Sequence, residues 1–215
     1  MKKIQEFNEW PSSKELLFIG NAWDLLSALI LEKAGFKAID TTSWSIANSL
    51  EFSDGEWIGF DRHLGIIKTI VENVKISVSA DIEAGYSEDA NMIIENVFRT
   101  ADVGVAGINM EDSLKKSMDL REVLQHAHLL EKIRVALDHN DYKYFYSNAR
   151  IDTYFQSRNP LIETIERARA YVESGASEIL VPGLKEPAGK LVEYMDTSHL
   201  YENAPQCRKE SDVIW

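Results

Sequence analysis

Short unbroken apolar runs recur along this chain, and between them the apolar residues return at helical spacing. Leu16-Leu17-Phe18-Ile19-Gly20 reads as a buried strand. Asp24 then caps a helix carrying Leu25, Leu26, Ala28, Leu29 and Leu31, which stops at Gly35. Phe36-Lys37-Ala38-Ile39 is the next strand and runs into the polar stretch 40–43. Two strands joined so closely by a helix must lie parallel. The alternation continues. Residues 44–50 form a short helix, 52–56 a turn-rich loop and 61–73 a helix with Leu64, Ile67, Ile70 and Val71 on one side. Strands are expected at 75–80, 103–109, 144–147 and 178–181, and helices at 88–101, 120–137, 161–174 and 185–195. The expected organisation is a polar lead-in over 1–14, one domain over 15–195 and a divergent or truncated tail over 196–215.

Six strand–helix units allow an open doubly wound sheet or a barrel. The open sheet calls for a phosphate-binding glycine loop after an early strand, and no such motif is present. A barrel instead gathers polar residues at the C-terminal tips of many strands. Such residues stand here at Asp40-Thr41-Thr42-Ser43, Asp81 and Glu83, Asn109 and Glu111, and Asn148 and Arg150. The fold class is therefore α/β, a (β/α)8 TIM-type barrel. A complete barrel takes about 250 residues. The stretch after Met195 has only Val213-Ile214-Trp215 as an apolar patch, so the last one or two units are expected to be missing.

Ser77-Val78-Ser79-Ala80-Asp81-Ile82-Glu83-Ala84-Gly85-Tyr86 holds the densest chemistry. It reads as a strand running into a tight turn, and strand alternation puts Asp81 and Glu83 on one face and Ile82 on the other. Two acids at a buried strand tip call for compensation by a divalent cation or a charged partner. The alternative is a loop and helix-capping pair without a ligand. Glu111 on the next strand would add a third carboxylate, and Mg2+ or Mn2+, hard cations with oxygen ligands, would resolve that repulsion. Arg150 then either clamps a substrate carboxylate or forms a structural salt bridge to one of the acids. Asp112 falls on a helix-facing or supporting position. Lys115 and Lys116 follow in the loop and read as solvated surface or as catalytic groups.

Composition narrows the classes. A net charge of -12 argues against a nucleic-acid partner, and 45% hydrophobic residues support a sizeable core. The lone Cys207 precludes an internal disulfide and fits a reducing compartment. Met1-Lys2-Lys3-Ile4 runs straight into polar residues, unlike a signal peptide, and no apolar run nears the ~20 residues of a membrane span. A cytoplasmic protein with neither membrane nor nucleic-acid partner is expected.

Seven segments, in order and each at a strand tip, carry a resemblance: Asn21-Ala22-Trp23-Asp24, Thr41-Thr42-Ser43, Asp54-Gly55-Glu56, the Ser79–Tyr86 stretch, Gly107-Ile108-Asn109-Met110-Glu111-Asp112, Asn148-Ala149-Arg150-Ile151-Asp152 and Val181-Pro182-Gly183-Leu184. The chain resembles the phosphoenolpyruvate mutase/isocitrate lyase superfamily, in particular its small phosphonomutase-like members. The resemblance implies a Mg2+-dependent barrel (Mn2+ being the other candidate) that acts on a small 2-oxo acid or related carboxylate. Such enzymes make or break a C–C or P–C bond through an enolate-type intermediate. It further implies metal-site roles for Asp81, Glu83 and Glu111, and a place near the metal for Asp54. Thr42, Ser43 and Trp44 match the part that holds the substrate carboxylate. Arg150 matches the substrate-gripping arginine, with Asn148 in support. Relatives form dimers or tetramers that exchange a C-terminal helix, so a homo-oligomer is implied for the intact form.

Two departures stand out. The isocitrate and methylisocitrate lyases carry Lys-Lys-Cys-Gly-His after the fourth strand, where this chain has Lys115-Lys116-Ser117-Met118. The mutase proper has a gating-loop Lys followed by Asn. Lys115 or Lys116 is the stand-in for the Lys, but no Asn follows closely. A lyase or phosphonomutase-like isomerase is the expectation. The reading from a different class is a non-catalytic barrel that keeps its ligand-binding residues.

Overall fold

A computed structural model describes Phe7, residues 17–114, Ser117, residues 119–184 and Val213–Ile214; for Leu17, Val213 and Ile214 the description covers the backbone alone. Lys115, Lys116, the expected helix over 185–195, and the lead-in and tail apart from Phe7 and Val213–Ile214 lie outside it. The elements are β1 (Leu17–Ala22), α1 (Leu25–Ala34), β2 (Ala38–Thr41), α2 (Ser43–Ser49), α3 (Phe60–Asn73), β3 (Ser77–Asp81), α4 (Ala90–Asp102) and β4 (Gly107–Glu111). They continue with β5 (Ser113–Leu114), β6 (Asp119–Leu120), α5 (Val123–His139), β7 (Tyr146–Arg150), α6 (Thr153–Gln156), α7 (Pro160–Glu173), β8 (Glu178–Leu180) and β9 (Val213–Ile214). The expected parallel α/β fold is what forms. No described helix is long and apolar enough to cross a membrane.

The chain divides into two compact units. The first comprises residues 1–109, 144–146 and 212–215. Its strands pair in parallel in the order β9-β1-β2-β3-β4. The register levels the tips: Ala22 lies opposite Thr41, and Asp81 opposite Asn109. β2, β3 and β4 are covered on both faces and buried at every position, whereas β1 leaves Phe18 55% exposed. Ile67 and Ile70 of α3 and Ile93 and Val97 of α4 are buried with Ile39 and Val78. Phe7, Ile19, Ala38, Ala106 and Tyr146 form a second cluster, with the Phe7 and Tyr146 rings edge to face at 5.3 Å. Helix α1 starts as its sequence predicts. Asp24 Oδ1 accepts from the Ser27 amide at 2.7 Å, and Ser27 Oγ accepts from the Asp24 amide at 3.1 Å, a reciprocal capping box.

The second unit comprises residues 110–143 and 147–211. β7 and β8 are parallel, with Asn148 opposite Glu178 and Arg150 opposite Leu180. β5 and β6 form a small antiparallel pair. Helices α5 and α7 pack together and bury Leu130, Ile133, Leu137, Ala168 and Tyr171.

Three strands differ most from expectation: β2 runs from Ala38 to Thr41 rather than over 36–39, taking in Asp40 and Thr41 of the polar stretch. β4 starts at Gly107 rather than 103, because residues 103–104 close α4: the Gly104 amide bonds the Ala101 carbonyl at 2.9 Å. β7 runs from Tyr146 to Arg150 rather than over 144–147, carrying polar Asn148 and Arg150 inside the strand.

Candidate functional site

In the first unit the chemistry collects at the tip of β3. Asp81 is the last residue of that strand and is 7% exposed. Its Oδ2 accepts from the Ser43 hydroxyl at 2.8 Å and the Ser43 amide at 3.2 Å, and its Oδ1 accepts from the Glu83 amide at 3.0 Å. The Asp81 amide in turn donates to Thr41 Oγ1 at 3.0 Å. The tip of β2 and the start of α2 therefore fix this carboxylate, and every donor to it among the described residues is neutral.

Glu83 does not share a strand face with Asp81, as simple alternation predicts. β3 ends at Asp81, and the chain turns through positive φ at Glu83 (52°), Gly85 (97°) and Tyr86 (60°). Left-handed backbone at two non-glycine residues stores about 1–3 kcal/mol of strain each. A side chain at Gly85 would also run into Ile93, 2.6 Å from its Cγ2. Hydrogen bonds hold the turn: Asn96 Nδ2 donates to the Gly85 carbonyl at 2.9 Å, and the Tyr86 amide to Glu56 Oε1 at 2.6 Å.

Glu83 is fully buried, and its Oε1 accepts from the Tyr86 hydroxyl at 2.9 Å. Tyr86 also meets His63 Nδ1. Its single proton lies toward Glu83, so His63 Nδ1 is the donor in that contact. Burial, then the Glu83 charge, pushes the Tyr86 phenol far above its usual range, so it stays a donor. Burial holds His63 down to about 4, against the Asp81 charge and carbonyl, so it is neutral at pH 7.

The other first-unit candidates are less engaged. Thr42 is half-buried and makes no side-chain capping bond, Trp44 is 60% exposed, and Asp54 is exposed in the loop before α3. His63 is the residue that sequence reasoning missed here; Thr41, Glu56 and Tyr86 lie in the segments that carry the resemblance but were given no role of their own. His63 and Tyr86 lie 23 positions apart, and neither periodicity nor motif spacing links them.

In the second unit the chemistry centres on Arg150. Its Nε donates to Asp152 Oδ1 at 2.7 Å and its Nη2 to Asp152 Oδ2 at 3.2 Å, while Nη1 lies 3.0 Å from Glu111 Oε2. Both acids are buried. The Ser113 hydroxyl donates to Asp152 Oδ2 at 2.7 Å, and Gln156 Nε2 donates to that hydroxyl at 2.9 Å. Asn148 shares the strand face of Arg150 and is 1% exposed; among the described residues neither of its amide atoms meets a partner. Asp112 supports the cluster from behind, with Arg167 and Tyr171 on its carboxylate. Burial raises Asp112 above the usual carboxylate range, against the Asp152 amide and Arg167.

Beside Tyr171, ring centres 4.8 Å apart, His126 is wholly buried, with both ring nitrogens unpartnered among the described residues. Burial, aided by the charges of Arg121 and Arg167, holds it down to about 3. An unfolded histidine takes its proton near pH 6.5, as the native one does not until about 3. Stability from this residue is therefore intact above pH 6.5 and falls below it by about 1.4 kcal/mol per pH unit. Urea midpoints from pH 7 to 5 are expected to fall more steeply for the parent than for a His126→Leu chain, by about 2 kcal/mol over the range. Parallel slopes would count against a neutral buried His126.

The metal acids fall in both units: Asp81 and Glu83 in the first, Glu111 in the second. Among the described residues no three acids, histidines or cysteines form a ready ligand set. The chemistry at Asp81 does fit a hard cation, since among the described residues its buried carboxylate oxygens meet only neutral donors.

The phosphoenolpyruvate phosphomutase family model matches residues 7–201. The uncharacterized protein Rv1998c of Mycobacterium tuberculosis is 34% identical over 168 residues, 78% of this chain and 61% of that protein. Phosphoenolpyruvate phosphomutase of Tetrahymena pyriformis is 27% identical over 196 residues, 87% of this chain and 64% of that one. The chain thus spans about three fifths of these relatives' length. Among solved structures, a phosphonomutase-like protein of Burkholderia cenocepacia J2315 superposes with a TM-score of 0.83 at 31% identity, over 91% of this chain and 80% of that one. Other relatives are named 2,3-dimethylmalate lyase, from Eubacterium barkeri, and phosphonopyruvate hydrolase, from Variovorax sp.. With most of its length under the family model and the barrel fold in common, this chain belongs to the phosphoenolpyruvate phosphomutase family, within the phosphoenolpyruvate mutase/isocitrate lyase superfamily.

Proposed function

We propose that this chain supplies the site of a Mg2+-dependent lyase or phosphonomutase-like isomerase. It would cleave or rearrange a C–C or P–C bond in a small 2-oxo acid through an enolate-type intermediate. The observation that carries this reading is Asp81, a buried carboxylate at a strand tip whose hydrogen-bond donors among the described residues are all neutral. Asp81, Glu83 and Glu111 are the acids proposed for the metal, with Asp54 near it. A bound Mg2+ supplies Lewis-acid stabilisation of the negative charge that develops on a 2-oxo oxygen.

The chain's own residues do the rest. Ser43 fixes Asp81, and Tyr86 fixes Glu83. Arg150 binds the substrate carboxylate and sets its orientation, which lowers the entropic part of the barrier. Asn148 offers a donor and an acceptor on the same strand face. Thr42, Ser43 and Trp44 are the proposed carboxylate-holding residues, and Asp54 and Lys116 are proposed catalytic groups beside Arg150. A homo-oligomer acting in the cytoplasm completes the proposal.

Calorimetric titration of Mg2+ tests it. Asp81→Asn is expected to weaken binding at least tenfold, about 1.4 kcal/mol. Equal affinities would remove Asp81 from the metal site. Oxaloacetate, phosphonopyruvate and 2-methylisocitrate should then be screened with Mg2+, following pyruvate or oxalate release. One observation favours a second reading, a non-catalytic barrel that keeps its ligand residues: Glu111 and Asp152 already engage the Arg150 guanidinium. A folded, Mg2+-binding chain that turns over none of these compounds would support it.

A further inference from the structure

Asp112 grips the chain on both sides of Arg150. Its amide donates to the Arg150 carbonyl at 3.1 Å, and its Oδ1 accepts from the Asp152 amide at 3.0 Å. Residues 150–152 are thereby pinned at two points, and the Asp152 carboxylate that orients the Arg150 guanidinium moves with them. Asp112 has no solvent exposure, so its charge needs donors from the protein. Besides the Asp152 amide, two come from α7, one helical turn apart. Arg167 Nη1 lies 3.0 Å from Asp112 Oδ2, and the Tyr171 hydroxyl donates to the same oxygen at 2.9 Å. Arg167 Nη1 also donates to the Arg121 carbonyl at 2.8 Å and contacts the Tyr171 hydroxyl at 2.9 Å, so the pair is tied to itself and to the main chain.

A buried ion pair gains little stability over an apolar pair of the same volume. What this one supplies is a fixed position for Asp112. We propose that Arg167 and Tyr171 are positioning residues for Arg150, acting through Asp112 and Asp152. Their consequence for substrate rests on Arg150 being the carboxylate-binding arginine.

The test reads Arg150 directly. In 15N-labelled full-length chain, the Arg150 Nε–H resonance is identified by its loss in Arg150→Lys, and its exchange with solvent is measured. Because this hydrogen is held by Asp152, exchange is slow in the parent. Exchange is expected to speed at least tenfold in Tyr171→Phe and about a hundredfold in Arg167→Met, and Arg167→Lys should bring it back to within a few-fold of the parent. The Ile151 amide, bonded to the Leu180 carbonyl, should keep its protection in all three. Oxalate affinity, titrated with Mg2+ present, should fall about tenfold in Tyr171→Phe with Mg2+ affinity unchanged. Unchanged Arg150 exchange in folded Tyr171→Phe overturns the proposal. So does loss of Ile151 protection in step with Arg150, which would make the role merely structural. Should Arg167→Met fail to fold, Tyr171→Phe decides alone. A parent chain that binds no oxalate refutes Arg150 as the carboxylate site, and the exchange rates still decide the positioning role.

Discussion

A Gly107→Ala chain is expected to lose about 3 kcal/mol or more of stability, enough to leave much of it unfolded or insoluble. Gly107 opens β4, where its Cα passes against Tyr146. A Cβ there would stand 2.5 Å from Tyr146 Cβ, 2.5 Å from its carbonyl oxygen and 3.0 Å from its carbonyl carbon. These are main-chain atoms and the root of a side chain, so no rotamer change makes room. Tyr146 has little freedom to retreat, with its amide bonded to the Ala106 carbonyl at 3.1 Å and its ring against Phe7. Gly65 is the control. It lies inside α3, and a methyl group there meets nothing within 4 Å. Gly65→Ala should stabilise by about 0.5–1 kcal/mol. Urea midpoints of the two variants should move in opposite directions. A Gly107→Ala midpoint within 1 kcal/mol of the parent would mean that the close approach of β4 to Tyr146 is wrong.

Much of the fold was legible because burial on both faces leaves unbroken apolar runs. Leu17-Phe18-Ile19 and Ala38-Ile39 announce β1 and β2, and Asp24 with Gly35 brackets α1 as capping rules require. Legibility fails where a strand carries chemistry. Asn148 and Arg150 look like loop residues, yet both lie inside β7, where polar side chains at a site replace the apolar signal that marks a strand. The two-residue pairs β5, β6 and β9 are too short to show a period. α6 is a single turn.

The candidate site divides along the same line. Asp81, Glu83, Glu111 and Arg150 stood out because polar residues at strand tips break an apolar pattern. Their partners did not. Ser113 and Asp152 are 39 positions apart, and Asp112 and Arg167 are 55 apart. Contacts between such distant positions exist only once the chain has folded. The Asp81–Glu83 spacing misled for a local reason: strand alternation stops at Asp81, and the positive φ at Glu83 sends its carboxylate to Tyr86 instead.

Arg150→Met should cost about 3–5 kcal/mol at pH 7. The side chains of Glu111 and Asp152 are 1% and 4% exposed, and the Arg150 guanidinium neutralises both. Methionine fills much of the same volume, so most of the loss is electrostatic. It leaves two carboxylates in low dielectric without that guanidinium. The deficit should therefore shrink as pH falls from 7 toward 4, because protonation removes the charge that the variant cannot compensate. Arg150→Lys keeps a positive charge but not the two-pronged geometry at Asp152, and a cost of about 1–2 kcal/mol is expected. Combining Arg150→Met with Glu111→Gln and Asp152→Asn should recover part of the lost stability, since neutral groups need no counter-charge. Urea midpoints of the four chains at pH 7 and pH 5 decide the matter. A deficit below 1 kcal/mol in Arg150→Met, or one that widens at pH 5, would show that the guanidinium does not balance these acids.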